Sequence, residues 1–162
     1  MPSRKYSLDN LDYQIIQELH ANARISASDI ARKTGSNERT IRKRIDRLIE
    51  DEVIRLTAIL DPEAFGYLIA ADIFLEADPA HEKEILEQLI HIPEITYVAF
   101  GQGSTEISLE ARFKNNDTLR EFLRHTLPVL TGVKVTGYAL VPRILRNIDE
   151  WFPPKSDFDT KK

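Results

Sequence analysis

The hydrophobic residues of the first 55 positions recur at helical spacing in three short stretches. After Asp9, whose carboxylate can cap a helix, this spacing predicts a helix over residues 10–21. Ser26 opens a second helix that must end by Gly35, and Asn37 can cap a third. Only three residues separate the second helix from the third, which is the spacing of a helix-turn-helix. The apolar positions are Leu11, Ile15, Ile16 and Leu19 in the first helix and Ile41, Ile45, Leu48 and Ile49 in the third.

The second half of the chain contains both strand-like and helix-like patterns. Residues 105–113 alternate apolar and polar side chains, which is the period of a strand with one solvated face. The other predicted elements are strands over residues 68–76, 96–100 and 133–141, a helix that begins near Pro79, and a helix capped within residues 115–117. The order βαββαβ predicts a ferredoxin-like α+β sandwich with both helices on one face of an antiparallel sheet.

These patterns divide the chain into four parts. Residues 1–55 form a helix-turn-helix domain, and residues 56–66 form a linking strand (56–60) followed by a connector. Residues 67–148 form the ferredoxin-like domain. Residues 149–162 are a C-terminal tail that either contacts a neighbouring subunit or frays.

The sheet of the ferredoxin-like domain has a second face that its helices leave uncovered. Phe74, Tyr138 and either Tyr97 or Phe100 are candidates to lie on this face. Burying such aromatic side chains against a second copy of the chain would remove them from water. The pattern therefore predicts a homodimer.

Composition excludes several classes of protein. The chain of 162 residues has no Cys and four scattered His, which excludes disulfides, thiolate nucleophiles and cysteine-ligated metal centres. We therefore expect no cofactor, no metal site and no catalytic residues. No apolar run approaches the about 20 residues of a membrane helix, and the start does not resemble a secretory signal. A cytoplasmic protein without a membrane partner is expected.

Charge is distributed unevenly along the chain. The net charge is −4, but residues 1–55 carry eleven Lys or Arg against nine Asp or Glu, and the remainder carries eleven against seventeen. On the third helix, Arg39, Lys43 and Arg47 lie opposite the apolar face. The acids four residues to either side of Arg42 can pair with it and leave this stripe uncompensated. Such a stripe suits double-stranded DNA, because Arg can read guanine and Lys can bind phosphate. The alternative is a solvated surface helix.

A family resemblance is carried by most core and turn positions of the first domain. They are Leu8-Asp9-Asn10-Leu11-Asp12-Tyr13-Gln14-Ile15-Ile16, Asn22-Ala23-Arg24-Ile25-Ser26, Asp29-Ile30-Ala31, Gly35, Thr40-Ile41-Arg42-Lys43-Arg44-Ile45, Leu48 and Val53-Ile54. This pattern resembles the winged helix-turn-helix of the Lrp/AsnC (feast/famine) transcriptional regulators. Ser36 and Glu52 depart from it, since the family has an apolar residue and a Gly there. Because Glu lacks the ease of Gly with positive φ, we expect the third helix to fray or extend at its end.

The resemblance implies a transcriptional regulator that binds DNA sequence-specifically through the third helix. A dimer would place two such helices in successive major grooves, so the operator should be an imperfect palindrome. The candidate DNA-binding residues are Asn37, Glu38, Arg39, Thr40, Arg42, Lys43, Arg44 and Arg47.

The resemblance extends to the second domain, where it implies sheet-to-sheet dimers that assemble further, often to octamers, and an amino-acid effector held between dimers. The family's G-x-x-D motif falls on residues 103–106 with Glu106 in place of Asp, and its Thr-x-Thr pattern falls on Thr136 and Tyr138. A free amino acid needs a carboxylate for its ammonium group and amides or hydroxyls for its carboxylate, and a Tyr would shrink the pocket. The alternative is a hairpin turn that needs Gly for its positive φ. The candidate effector-binding residues are Gly101, Gly103, Ser104, Thr105, Glu106, Thr136 and Tyr138.

Two other functions fit the same architecture. One is an enzyme similar to the siroheme decarboxylases related to these regulators, which would need His and Arg converging on a tetrapyrrole. The other is a metabolite-sensing module that does not bind DNA. The regular cationic face of the third helix favours the regulator over both.

Overall fold

The computed structural model describes residues 7–101 and 105–158. The chain divides into two compact units. The first unit combines Met1–Ile59 with Ile148–Lys162, and the second comprises Leu60–Asn147. The chain therefore passes from one unit to the other twice. No helix among the described residues is long and apolar enough to cross a membrane.

Three helices form most of the first unit, as predicted: α1 (Asn10–Ala21), α2 (Ala27–Thr34) and α3 (Glu38–Glu50). The predicted caps are confirmed, because side-chain oxygens of Asp9, Ser26 and Asn37 accept hydrogen bonds from first-turn amides. Gly35 ends α2 with a φ of 68°, a left-handed conformation that Gly adopts without strain. The core between the helices consists of Ile15, Leu19, Ala27, Ile30, Ala31, Ile41 and Leu48.

The end of α3 differs from the expectation that it frays or extends. Glu52 adopts a φ of 58°, which is rare for a residue other than Gly. The Val53 amide donates to the Leu48 carbonyl at 2.9 Å, and the Glu52 amide donates to the Ile49 carbonyl at 3.0 Å. These two bonds form a Schellman motif. The expectation was wrong because the hydrogen bonds and the burial of Leu48 hold Glu52 in the conformation that Gly would adopt freely.

The linking strand predicted over residues 56–60 is not formed. A strand needs a neighbouring strand to hydrogen-bond with its amides and carbonyls, and no described segment pairs with these residues. The connector contains a single 3-10 turn, Pro62–Phe65, which Gly66 ends with a φ of 82°.

The second unit has the predicted ferredoxin-like order. Its elements are β1 (Ile69–Ala77), α4 (Glu82–Leu89), β2 (Ile95–Phe100), β3 (Glu106–Phe113), α5 (Asn116–Glu121) and β4 (Val133–Leu140). A π-helical turn, Phe122–Thr126, and a 3-10 turn, Leu127–Val129, follow α5. The strands pair antiparallel in the order β2-β3-β1-β4. Buried side chains of β1 and β3, including Ile73 and Leu109, pack against Ile85, Leu89 and Phe122 on one face of the sheet.

The other face of the sheet carries two of the predicted aromatic residues. Phe74 and Tyr97 are 46% and 57% exposed. Phe100 instead packs against the core. Tyr138 pairs with Ile73, so its side chain lies on the helix-covered face, because directly paired residues share a face. Placing Tyr138 on the open face was wrong, since a bulge opposite Phe74 shifts the register of β4.

Residues 149–158, the part of the C-terminal tail that the structure describes, neither fray nor need a neighbouring subunit to find a contact. Its ring pairs lie within the first unit, where Phe152 and Phe158 meet Tyr13 of α1 with ring centroids 5.7 Å and 5.1 Å away. Phe158 is 2% exposed. The part of the tail that the structure describes is therefore folded against α1.

Candidate nucleic-acid interface

The outer surface of α3 presents two cations that are free to bind an anion. Arg39 and Lys43 are exposed, and neither forms an ion pair with any described residue. They lie one turn apart on the side of α3 opposite Ile41 and Leu48, which the core buries completely. This pair is the part of the predicted stripe that remains uncompensated.

Arg42 is paired, as predicted, but with only one of the two acids. Its Nε and Nη2 atoms donate to Oε1 of Glu38 at 2.9 Å and 2.6 Å. Asp46, the second predicted partner, forms no ion pair within the described chain. The Arg42 side chain is 65% exposed, so an ion pair of this kind contributes little stability and can be exchanged for a phosphate.

The expectation that Arg47 is uncompensated was wrong, because α1 supplies its counter-charge. Nη2 of Arg47 donates to Oδ2 of Asp12 at 2.7 Å. Nη1 of Arg44 donates to Oδ2 of Asp9 at 2.7 Å and to both carboxylate oxygens of Asp12 at 3.0 Å. Asp9 and Asp12, which we call the aspartate clamp, therefore neutralise both guanidinium groups and tie α1 to α3.

The aspartate clamp also caps α1. Asp9 accepts the amide of Asp12, and Asp12 accepts the amide of Asp9, so each carboxylate stabilises the first turn of the helix. Asp12 is completely buried. A buried carboxylate is tolerated only when it is paired and hydrogen-bonded, and here two Arg and one amide meet that need.

The contact between Asp9 and Arg44 shifts the pKa values of both groups. Partial burial alone would raise the pKa of Asp9, but the Asp12 amide and the Arg44 guanidinium outweigh it and hold this pKa below its ordinary value. The hydrogen bond to Asp9 raises the pKa of Arg44 above its ordinary value. Both groups therefore stay charged, and their charges cancel locally.

The remaining predicted residues at the start of α3 have structural roles. Oδ1 of Asn37 accepts the amide of Thr40 at 2.8 Å as the helix cap. Thr40 itself is half-buried. The amides of the first turn that Asn37 does not satisfy face outward, and together with the helix dipole they favour a negatively charged ligand.

A cavity of about 410 Å³ on the open face of the sheet brings together part of the predicted effector site. Gly101, Glu106 and Thr136 line it beside Phe74 and Ser108. The Thr136 hydroxyl donates to the Phe74 carbonyl at 3.0 Å, which fixes its position at the rim.

The other predicted effector residues are placed differently. Gly103 and Ser104 lie outside the described residues. Thr105 is exposed and does not line the cavity. The expectation that Tyr138 shrinks the pocket was wrong, because the bulge in β4 places this residue on the opposite face of the sheet.

Sequence reasoning missed the aspartate clamp and the contacts of the C-terminal tail. The helical pattern of α1 assigns no partner to Asp12. The available signal was its position beside the apolar stripe of Ile15, Ile16 and Leu19, where a charged residue needs a partner. For the tail, the signal was the pair Phe152 and Phe158 beyond the last strand.

Comparisons with known proteins agree with this description. An AsnC-type helix-turn-helix domain matches residues 8–49. The HTH-type transcriptional regulator PH0140 of Pyrococcus horikoshii is 32% identical over 150 residues, which are 92% of each chain. The HTH-type transcriptional regulator FL11 of Pyrococcus furiosus is 33% identical over 144 residues, which are 88% of this chain and 95% of that protein.

Solved structures share the fold. AsnC of Escherichia coli superposes with a TM-score of 0.80 at 24% identity, covering 89% of this chain and 99% of that one. A feast or famine regulatory protein of Mycobacterium tuberculosis, in complex with L-methionine, superposes with a TM-score of 0.79 at 22% identity, covering 90% and 99%.

Proposed function

The chain belongs to the Lrp/AsnC family of HTH-type transcriptional regulators, and on this premise we propose that it binds a palindromic operator as a homodimer, with α3 as the recognition helix and a small-molecule effector in the second unit. It is a helix-turn-helix regulator of transcription. The proposal concerns which residues contact the DNA, in which assembly, and what modulates the binding.

The observation that carries the proposal is the uncompensated pair of Arg39 and Lys43. In α2, by contrast, Arg32 pairs with Asp29 and Lys33 pairs with Glu18. Arg44 and Arg47 hold α3 against α1, so we assign them to positioning the recognition helix. Arg39 is placed to read base edges, while Lys43 and the first-turn amides bind phosphates.

Arg42 is a conditional contact. Its side chain can exchange Glu38 for a phosphate with little loss, because the exposed ion pair is weak. Glu38 then lies beside the DNA and can accept a hydrogen bond from a cytosine amino group. Asn37 and Thr40 are assigned to capping α3.

A homodimer is supported by the open face of the sheet. Phe74 and Tyr97 are large, exposed and on the same face, and a second copy can bury them. A two-fold dimer presents two copies of α3 to half-sites about 34 Å apart along the duplex. The operator would then be an inverted repeat.

The effector proposal rests on the chemistry of the cavity. The Glu106 carboxylate can pair with an ammonium group, the Ser108 hydroxyl can donate to a carboxylate, and Phe74 supplies an apolar wall. These groups suit an amino acid, the class of ligand in the M. tuberculosis complex. The tetrapyrrole-enzyme alternative would need His and Arg, and neither is among the described residues that line this cavity.

Selection of DNA by the full-length protein tests the proposal. Duplexes with a random centre are bound at moderate salt, recovered and sequenced, with and without a mixture of the twenty amino acids. The expected product is an inverted repeat with half-sites one helical turn apart. The amount of this DNA that the protein retains should differ between the selections with and without amino acids. Failure to enrich any sequence would refute operator binding, and enrichment of a single asymmetric half-site would refute the dimer.

A further inference from the structure

The last part of the chain covers the side of α1 that faces away from the helical core. Ile15 and Leu19 point into the core, whereas Tyr13 and His20 lie on the opposite side of the helix. Residues 148–158, which we call the C-terminal strap, contact that opposite side. α1 is therefore held between the core and the C-terminal strap.

The contact is an aromatic cluster with one deeply buried anchor. Tyr13 meets Phe152 and Phe158 edge to face, and the two Phe rings stack with centroids 6.5 Å apart. The His20 ring lies 5.2 Å from Phe152, and Lys155 Nζ lies 5.8 Å from the Tyr13 ring. Such aromatic pairs contribute beyond the area that they bury. Phe158, at 2% exposed, is the anchor.

The residue next to Tyr13 connects this cluster to the DNA-binding surface. Asp12 holds Arg44 and Arg47 of α3, and it follows from helical geometry that a movement of Tyr13 moves Asp12 with it. A helix of 12 residues is only marginally stable by itself, so its orientation depends on what packs against it. The C-terminal strap is the packing partner on one side.

We propose that the C-terminal strap positions the recognition helix for DNA binding. Phe158 and Phe152 are positioning residues that fix α1 and, through the aspartate clamp, the orientation of α3. This inference rests on the proposed function, since it concerns operator affinity. It assigns residues 148–158 to DNA recognition through their ring contacts with α1, not through a contact with the DNA.

The test compares operator affinity in full-length variants at one salt concentration and at a temperature well below unfolding. Phe158→Ala removes the anchor and Phe158→Leu keeps an apolar side chain in its place. Trp151→Ala is the matched control, because this aromatic residue of the same strap is 56% exposed and makes no ring contact in the described part of the chain. The probe is the duplex selected by the wild-type protein, and each affinity is corrected for the fraction of active protein.

We expect Phe158→Ala to weaken binding by roughly three- to tenfold, the range for residues that act through packed neighbours. Phe158→Leu should recover most of the loss and Trp151→Ala should change affinity less than twofold. Hydrogen exchange should show faster exchange of α1 amides in Phe158→Ala, with β1 and β3 unchanged. If Phe158→Ala does not fold, Phe152→Ala is measured instead and is interpreted in the same way.

Three results would overturn the inference. They are wild-type affinity in folded Phe158→Ala, a loss of equal size in Trp151→Ala, and a loss that Phe158→Leu does not recover. In each case the wild-type protein still binds its operator, so the proposed function stands. A wild-type protein that selects no DNA refutes the proposed function first, and the inference falls with it.

Discussion

Replacing Asp12 by Asn should make the first unit easier to unfold, because it removes the charge on which two guanidinium groups converge. Asp12 is completely buried and accepts from Arg44 at 3.0 Å and from Arg47 at 2.7 Å. Removing one member of a buried ion pair costs about 3–5 kcal/mol. The two Arg side chains are 27% and 41% exposed, so water can partly solvate them, and Asn keeps one acceptor oxygen. A loss of about 2–3 kcal/mol in the free energy of unfolding is expected.

The single tryptophan makes this loss measurable in one unit of the protein. Trp151 belongs to the first unit, so its fluorescence during urea unfolding follows that unit. Asp46→Asn is the matched control, since Asp46 is an exposed acid of α3 with no ion pair to a described residue, and its change should stay within about 0.5 kcal/mol. If Asp12→Asn were as stable as Asp46→Asn, the aspartate clamp would not stabilise the fold.

The other predictions concern DNA binding, the end of α3 and pH. Arg39→Ala should weaken operator binding by about 1–3 kcal/mol, and Lys43→Ala should reduce the slope of log K against log salt by roughly 1 in a gel-shift titration. The control is Arg24→Ala, which removes an exposed cation outside α3 and should change neither the affinity nor the salt slope. If Arg24→Ala weakened binding as much as Arg39→Ala, the assignment of Arg39 would be contradicted. Glu52→Gly should raise the free energy of unfolding by about 0.5–1 kcal/mol, because relief of the left-handed strain exceeds the entropy that Gly loses, and a lower melting temperature would contradict this account. The pKa of Asp9 in the folded protein is held below the ordinary value of 3.8. The ionised Asp9 therefore contributes its full stabilisation above pH 3.8, and this stabilisation is lost as the pH falls through the pKa of the folded protein. Urea unfolding of Asp9→Asn should therefore be less sensitive to acid than that of the wild type in the range below about pH 4, and an unchanged dependence would contradict the shift.

The elements of both units were predictable because their signals are local. The period of 3.6 residues located α1 and showed which face of α3 is buried, and the alternation of residues 105–113 located β3 within one residue. Caps such as Asn37 follow from side-chain chemistry within four residues. Local periodicity therefore carries the fold class.

The errors concern partners that are distant in the sequence. The helical period shows in which direction Arg47 points, but not that Asp12, on another helix, lies there. The alternation of β4 cannot reveal a bulge that moves Tyr138 to the other face. The surface that the C-terminal strap contacts has no periodic signal at all. These features depend on tertiary geometry and become visible only when the chain is folded.

The first unit is assembled from two segments of the chain that the whole second unit separates, and this has a consequence for folding during synthesis. The three helices precede residues 60–147, whereas Phe158, which packs against α1, follows them. The ribosome therefore releases the three helices well before Phe158 can reach α1. Until the second unit has been translated, the outer side of α1 stays open to solvent.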